Sequence, residues 1–404
     1  MRPIFLLTAA GALWIAAAGV TATQRAGAFG ESLNHPAIRY SVSEAHTAIE
    51  DLNRKLADGS VRLTFDPQNG YLQSVLDLLK VPVESQVMVY SQTSMQAEKI
   101  NAQNPRAIYF NDTISVAYVR GGGMLEVVAQ DPQLGSVFYV INQEAGAPQK
   151  LGREQQCLRC HLTWDTLGVP GMSVLSTFPR KTNDDYADGF FMDHFRPIDG
   201  RWGGWYVTGT RVPPRHMGNF PLFMPKPARP MDTPPVRASL EGQIDLTSYL
   251  TPYSDVAALM VLDHQAHAAN LITRLNWEAR LEQDARINEA ADTLVEYFLF
   301  VDEAPIPAGG IQGSSGFTEA FQSAGRHDSK GRSLRELDLQ TRLQRYPLSY
   351  MIQSPAFAAL PPVAKSKVMD RIHAVLSGEV TGEKYAHLTP AIRQAISEIL
   401  RETM

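Results

Sequence analysis

The chain has 404 residues, of which 44% are hydrophobic and 20% are charged, proportions that are ordinary for a soluble globular protein and that allow two or three domains. Its 37 basic and 42 acidic residues give a formal net charge of −5, and this mild acidity argues against nucleic acid or anionic lipid as a partner. Only two cysteines are present, which excludes a fold held together by several disulfides.

The first 28 residues have the pattern of a secretory signal peptide. Met1 and Arg2 give a short positive start, residues 4–20 form an apolar run without charge, and Ala26-Gly27-Ala28 fits the small-residue cleavage rule, with an earlier alternative at Ala22. The other interpretation is an uncleaved membrane anchor, because the run is close to the lower length limit of a spanning helix. Only in that case do we expect membrane association. Cleavage would leave an exported protein, which in a bacterium means the periplasm.

Residues 29–150 are predicted to form a domain of two short helices followed by a β-meander. Ser41 and Glu44 have the spacing of a capping box for a helix that ends before Gly59, and a second helix is predicted near residues 71–79. Apolar runs separated by turn residues then predict an antiparallel sheet, with strands near 86–90, 107–110, 114–119, 124–128 and 137–141.

The most informative stretch of the chain is Cys157-Leu158-Arg159-Cys160-His161. Two cysteines spaced Cys-x-x-Cys and followed at once by histidine are the covalent attachment signature of a c-type haem. Cys157 and Cys160 would each form a thioether to the porphyrin, and His161 would take one axial position on the iron. The motif predicts one haem c, within a haem-binding segment that we place at residues 151–235. Because haem of this type is attached outside the cytoplasm, the motif agrees with the predicted export signal.

Two other interpretations of the cysteine pair lack a necessary part. A thioredoxin-like redox pair would follow a buried strand, whereas the polar run 150–156 precedes this one. A structural zinc site would need two further ligands at short spacing, and the chain has no second cysteine pair. A simple disulfide is the remaining alternative to haem.

Beyond the motif, two strand-like runs at 190–194 and 201–209 are predicted to form a β-hairpin beside the haem. Trp202 and Trp205 are candidate pocket residues, and Arg196 and Arg201 are candidates for pairing with the haem propionates. The proline-rich stretch 213–235 is predicted to be an extended connector.

The sixth coordination position of the iron largely decides the function of a lone haem. His194, flanked by aromatic residues, is one candidate ligand, and the alternative is a histidine packed in the sheet and bonded to Asp193. His216 and Met217, which follow a Pro-Pro step, are the second candidates. Met224 is a weaker third, and Met172 is predicted to line the pocket instead.

Residues 236–404 are predicted to form a helical domain, with helices within 256–301, 334–345, 364–377 and 390–402. His264 and His267 share an inward-facing stripe of the first helical run. They are further candidates for the iron or the haem edge, and a hydrogen-bonded pair in the core is the other interpretation. The overall expectation is an α+β protein with a β-rich N-terminal part and a helical C-terminal part.

Four blocks of sequence resemble a family of bacterial exported proteins that are similar to monohaem c-type cytochromes and whose function is uncharacterised. The blocks are 104–112, 157–161, 201–206 and 216–219. The resemblance spans most of the mature chain. It implies a single haem and an extracytoplasmic location, and it implies no substrate, partner or sixth iron ligand.

These observations support three functional hypotheses. The first is a periplasmic electron carrier with two protein ligands on the iron, which exchanges electrons with a redox protein partner. The second is a haem enzyme, such as a peroxidase or oxygenase, whose sixth position is open or displaceable and accepts a small-molecule oxidant. The third is a sensor or structural module. A bound haem permits all three roles, so the sequence does not decide among them.

Overall fold

The computed structural model describes residues 32–177, 189–219 and 236–404. The predicted signal peptide, Met224 and most of the proline-rich connector lie outside these residues. The chain divides into two compact units between Glu44 and Ala45. In the described part of the first unit, residues 32–34 are helical and turns follow, one of which is closed by the backbone N–H of Ile38 donating to the carbonyl oxygen of His35.

A six-stranded antiparallel sheet forms the N-terminal half of the second unit, and each strand pairs with the next in sequence order. The predicted meander and the α+β class are therefore confirmed. The strands are β1 (Val87–Val89), β2 (Arg106–Phe110), β3 (Ile114–Val119), β4 (Met124–Asp131), β5 (Gly135–Asn142) and β6 (Gly152–Arg153).

The two faces of the sheet differ in burial because side chains alternate along each strand. The inner face is buried along β2 to β5. Two helices, α1 (Ala48–Ala57) and α2 (Leu72–Leu79), pack against each other, and α2 contacts β3. The hydroxyl groups of Thr47 and Tyr139 meet there at 3.0 Å. On the outer face, pairing aligns one row of side chains across β3 to β6, and its members are only partly buried. This outer row consists of Ala117, Glu126, Val140 and Gly152.

The first helix begins six residues later than the capping box at Ser41 predicts. Thr47 is the N-cap of α1, and its hydroxyl accepts from the backbone N–H of Glu50. Thr47 and Glu50 themselves have the spacing of a capping box. The sequence therefore contains a second capping signal, and this one agrees with the structure. The second predicted helix is confirmed as α2.

The C-terminal part is helical, as expected. Its helices are α4 (Val256–Arg280), α5 (Asp284–Phe298), α6 (Phe317–Ser323), α7 (Pro355–Ala358), α8 (Pro362–Ser377) and α9 (Pro390–Thr403), while α3 (Leu158–His161) carries the cysteine motif. Helix α4 is almost wholly buried and is the central element of a hydrophobic cluster that extends from β1 to α9. The domain boundaries at residues 150 and 235 stay a prediction.

The predicted helix at 334–345 is wrong. Asp338 accepts hydrogen bonds from the backbone N–H groups of Gln340 and Thr341, and Leu339 has a left-handed backbone with φ +55°. An aspartate that bonds the backbone ahead of it favours a turn over a helix. The apolar spacing in this stretch instead serves loop residues such as Leu334 and Leu343, which are buried.

The predicted hairpin beside the motif is also wrong. The strand β8 (Phe190–Phe191) pairs with β7 (Leu175–Ser176), not with residues 201–209. Trp205 and Thr208 make single bridges to Val89 and Asp255. The apolar run 201–209 is thus bonded to the edge of the large sheet and to the start of α4, which satisfies its backbone without a hairpin partner.

Among the described residues, no helix combines the length and apolar character that a membrane span requires.

Candidate haem attachment site

The cysteine motif forms a single helical turn at the edge of the large sheet. The backbone N–H of Glu154 donates to the carbonyl oxygen of Phe138 on β5, which holds the approach to the motif against the sheet. The backbone N–H of His161 then donates to the carbonyl oxygen of Cys157 at 3.0 Å. Cys157 is half-buried, Cys160 is exposed and both thiols are free. This turn is the short helix α3.

One hydrogen bond shows which ring nitrogen of His161 carries the proton. Its Nδ1 lies 3.0 Å from the carbonyl oxygen of Gly171. A carbonyl oxygen can only accept, so Nδ1 carries the proton and Nε2 keeps its lone pair. This is the tautomer that binds a metal through Nε2, and metal-binding histidines characteristically donate their other ring N–H in this way.

The surroundings of His161 keep its ring uncharged. The ring packs against Phe138, with centroids 4.8 Å apart. Burial lowers the pKa of His161 to about 4, a larger effect than that of the Gly171 carbonyl, which acts in the opposite direction. The imidazole is therefore neutral at pH 7, as an iron ligand must be.

The carbonyl group that orients His161 is itself fixed to the central helix. Met172, the next residue after Gly171, donates its backbone N–H to Oδ1 of Asn270 on α4 at 3.1 Å and accepts from Nδ2 of the same side chain at 2.8 Å. A Cβ atom on Gly171 would collide with that Oδ1, so a larger residue here would displace the Asn270 side chain from Met172. Met172 is partly buried against the core.

One ion pair on the outer face lies close to the motif. Nη1 of Arg106 on β2 is 3.1 Å from Oε2 of Glu126 on β4, and Glu126 also accepts from the hydroxyl of Ser94 at 2.8 Å. Burial raises the pKa of Cys157 to about 11, and the negative charge of Glu126 adds to this effect. The field of Arg106 also acts on His161.

The structure pairs two of the candidate sixth ligands with each other in the helical core. Nδ1 of His194 and Nδ1 of His264 are 2.9 Å apart, and Nε2 of His264 is 2.7 Å from the hydroxyl of Ser349. The His194 ring stacks on Tyr297 at 4.0 Å and on Phe300 at 4.8 Å, and its buried Nε2 has no partner among the described residues. This is the hydrogen-bonded core arrangement that the sequence leaves open for His264, although with His194 and not His267 as its partner.

His216 has the opposite tautomer to His161. Its Nδ1 accepts from the backbone N–H of Gly218 at 3.0 Å, so the proton of the neutral ring is on Nε2, which is buried and has no partner within the part of the chain that the structure describes. In this arrangement Nε2 offers no lone pair to a metal. Met217 is buried next to it. His267, on α4, packs against Phe191 at 4.9 Å, and its Nδ1 has no hydrogen-bond partner in residues 32–177, 189–219 and 236–404.

The two arginines that the sequence suggests as propionate partners differ in environment. Arg201 is 1% exposed and its guanidinium is already occupied: it donates to the carbonyl oxygens of Arg196 and His194 and lies 3.7 Å from the carboxylate of Asp263. The guanidinium of Arg196 lies over the ring of Phe190.

The two candidate pocket tryptophans belong to the same hydrophobic cluster as Met192 and Val174. The indole N–H of Trp202 donates to Asp263 at 3.2 Å, and that of Trp205 donates to the carbonyl oxygen of Leu175 at 2.7 Å. Trp205 is thereby bonded to the chain that follows the motif, and Trp202 to helix α4.

Sequence reasoning missed the residues that orient and surround His161. Phe138 was placed correctly in a strand, but nothing in its pattern indicated contact with the motif. Nothing in the sequence indicated that the carbonyl group of Gly171 would bond to the histidine of the motif. Within the described ranges, no group of three or more histidine, cysteine or acidic side chains is gathered for a metal ion. No family model, curated protein or solved structure matches this chain, so the family resemblance stays a prediction.

Proposed function

We propose that this protein is an exported monohaem c-type cytochrome that carries electrons to or from a redox partner in the periplasm. The observation that carries the proposal is the state of His161: neutral, with Nδ1–H donated to the Gly171 carbonyl and the Nε2 lone pair available. Two free thiols on the adjacent helical turn supply the covalent attachment points. These residues fit a haem c.

Each residue of the site would have a separate role. Cys157 and Cys160 would hold the macrocycle, His161 would hold the iron from one side, and Gly171 would keep the imidazole in its binding tautomer. The haem would supply a one-electron couple between ferric and ferrous iron. The Phe138 ring would exclude water from one side of the imidazole, and a low local dielectric favours the less charged state of the iron.

The test of this proposal is maturation of the full chain in a bacterium that attaches c-type haem outside the cytoplasm. We expect a red protein whose pigment stays with the polypeptide in acid acetone, and the double variant C157S/C160S should lose the covalent pigment. The variant H161A should keep the pigment and lose its low-spin spectrum. His387, whose Nε2 also donates to a backbone carbonyl, serves as the matched control, and H387A should leave the spectrum unchanged. A colourless wild-type protein would refute the proposal.

The carrier and the enzyme differ in how the reduced iron responds to carbon monoxide. A carrier with two protein ligands should have a low-spin spectrum in both oxidation states and should not change when carbon monoxide is added. An open or displaceable sixth position would bind the gas when reduced and would react with peroxide. The second outcome would replace electron transfer by haem enzyme chemistry and would leave the covalent attachment as proposed.

A further inference from the structure

Arg106 on the outer face of the sheet has donor capacity that the protein leaves unused. Its Nη1 binds Glu126, while its Nε is buried and has no partner among the described residues. The Nε and Nη2 atoms of a guanidinium form the edge that a carboxylate binds with two parallel hydrogen bonds. A buried donor without a partner is unfavourable, so this edge is suited to an acidic group that comes from outside the polypeptide.

The order of the strands places Arg106 opposite the cysteines. The motif follows β6 at one edge of the sheet, whereas Arg106 belongs to β2, and the outer row of Ala117, Glu126, Val140 and Gly152 lies between them. The arginine side chain reaches across β3 to Glu126 on β4. Two strand spacings, about 10 Å, then separate the guanidinium from β6, a distance that a porphyrin spans.

The chemistry of haem c matches this arrangement. Its propionates lie on the edge of the macrocycle opposite the two thioethers. A macrocycle tethered at Cys157 and Cys160 and extending across β5 and β4 brings its acidic edge toward β2. The outer row beneath it has small side chains at Ala117 and Gly152, and a Cβ on Gly152 would meet only the Val140 carbonyl oxygen, at 4.0 Å.

We propose that Arg106 anchors a haem propionate through its Nε edge, with Glu126 holding the guanidinium in position. The inference rests on the proposed function, because the propionate belongs to the haem. It replaces the expectation that Arg201 has this role, since the donors of Arg201 are taken up by the protein itself. Glu126 is a positioning residue. Its carboxylate pairs with Arg106 and accepts a hydrogen bond from the Ser94 hydroxyl.

The experiment uses the holoprotein and measures its reduction potential and the propionate bending bands of its resonance Raman spectrum. Removing a positive charge beside the haem favours ferric over ferrous iron, so R106Q should shift the one-electron equilibrium toward the ferric form by roughly threefold to tenfold, and a tenfold change is 59 mV. The propionate bands should shift as the hydrogen bonds are lost. R106K keeps the charge but lacks the two-pronged edge, and it should restore most of the potential but not the bands.

Arg332 provides the matched control. It is buried to a similar extent, with 19% of its side chain exposed against 16% for Arg106, and it pairs with Asp328 and with Glu398 on α9. R332Q should change neither the potential nor the bands. If R106Q fails to accumulate, R106K tests the same point, because it keeps the charge and should still shift the propionate bands; unchanged bands in R106K would overturn the anchoring role.

Unchanged bands in R106Q would overturn the anchoring role, whether or not the potential moves, because a distant charge alters the potential without touching the propionate. This result would leave the cytochrome proposal intact provided that the pigment is still covalent. A wild-type protein without covalent haem would remove both.

Discussion

Single hydrogen bonds decide which histidines can serve as ligands, and these bonds are invisible in the sequence. His161 donates from Nδ1 to a carbonyl oxygen, whereas His216 accepts at Nδ1 from a backbone N–H. Both residues follow loop-like sequence, and both are histidines near a glycine. Only the direction in which the neighbouring backbone points separates an available lone pair at Nε2 from a protonated one.

The buried carboxyl group of Asp263 gives the protein a measurable pH dependence. Burial raises the pKa of Asp263 to about 7, although Arg201 and the Trp202 indole act in the opposite direction. The folded state therefore binds this proton more tightly than the unfolded state, in which the pKa is about 3.9. The contribution of Asp263 to the free energy of unfolding is complete below about pH 4 and is lost as the pH rises toward 7.

The variant D263N keeps the side-chain shape and removes the titration. We expect the difference in the free energy of unfolding between the wild type and D263N to change between pH 4 and pH 7, in favour of D263N at the higher pH. Denaturant titrations of both proteins across this range measure it. The difference is needed because the buried histidines, whose pKa values are lowered by burial, oppose the trend in the wild type between about pH 4 and 6. A difference that does not vary with pH would contradict the raised pKa.

At the scale of elements, helix α4 depends on one aspartate. Asp255 is fully buried, and its Oδ1 accepts from the backbone N–H groups of Ala257 and Ala258 while its Oδ2 accepts from those of Ser314 and Ser315. One side chain therefore caps the central helix and fixes a distant loop to it. Truncating it removes the acceptor of two buried and two partly buried N–H groups.

We expect D255A to lower the free energy of unfolding by about 2–4 kcal/mol, which is more than the loss of an ordinary helix cap. Thr389 is the control, because its hydroxyl caps α9 at an exposed site and accepts from Ile392 alone. T389A should cost about 1 kcal/mol. Chemical denaturation compares the two variants. Equal losses would mean that the bonds to Ser314 and Ser315 contribute little.

Sequence patterns predicted the elements whose partners are close in the chain. The meander was found because each strand pairs with the next and turn residues mark its ends, and α8 and α9 were found from their apolar spacing. The hairpin at 190–209 and the helix at 334–345 failed for a common reason. Trp205 bonds to β1, more than a hundred residues earlier. The leucines of 334–345 lie in a loop and are buried in the hydrophobic core. Such distant contacts override local propensity.

At the scale of the whole molecule, the hydrophobic core does not depend on the cysteine motif. The continuous cluster runs from β1 through α4 to α9, and Cys157, Cys160 and His161 are not among its members. Small cytochromes wrap most of their core around the haem, whereas this chain has a sheet and a helical part that bury apolar surface against each other. The sheet and the helical part therefore share a continuous core that lies outside the motif.

We expect the haem-free variant C157S/C160S to fold. It should retain the circular dichroism of the native protein and unfold in one cooperative transition, because polar substitutions at partly exposed positions cost only about 0.5 kcal/mol. Thermal unfolding followed in the near and far ultraviolet measures both properties. A variant that keeps its helical signal but loses the near-ultraviolet signal would be a molten globule, and this result would mean that the haem organises the core.

Asn270 on α4 binds both backbone groups of Met172. Its side chain also lies beside Gly171, whose carbonyl oxygen accepts from His161. The imidazole is thus joined to helix α4 by two successive contacts, one from His161 to Gly171 and one from Met172 to Asn270. When the charge on a bound iron changes by one unit, a ligand held in this way has little room to shift. Nuclear rearrangement on oxidation would stay small, and a small reorganisation energy permits rapid electron exchange even when the driving force is slight.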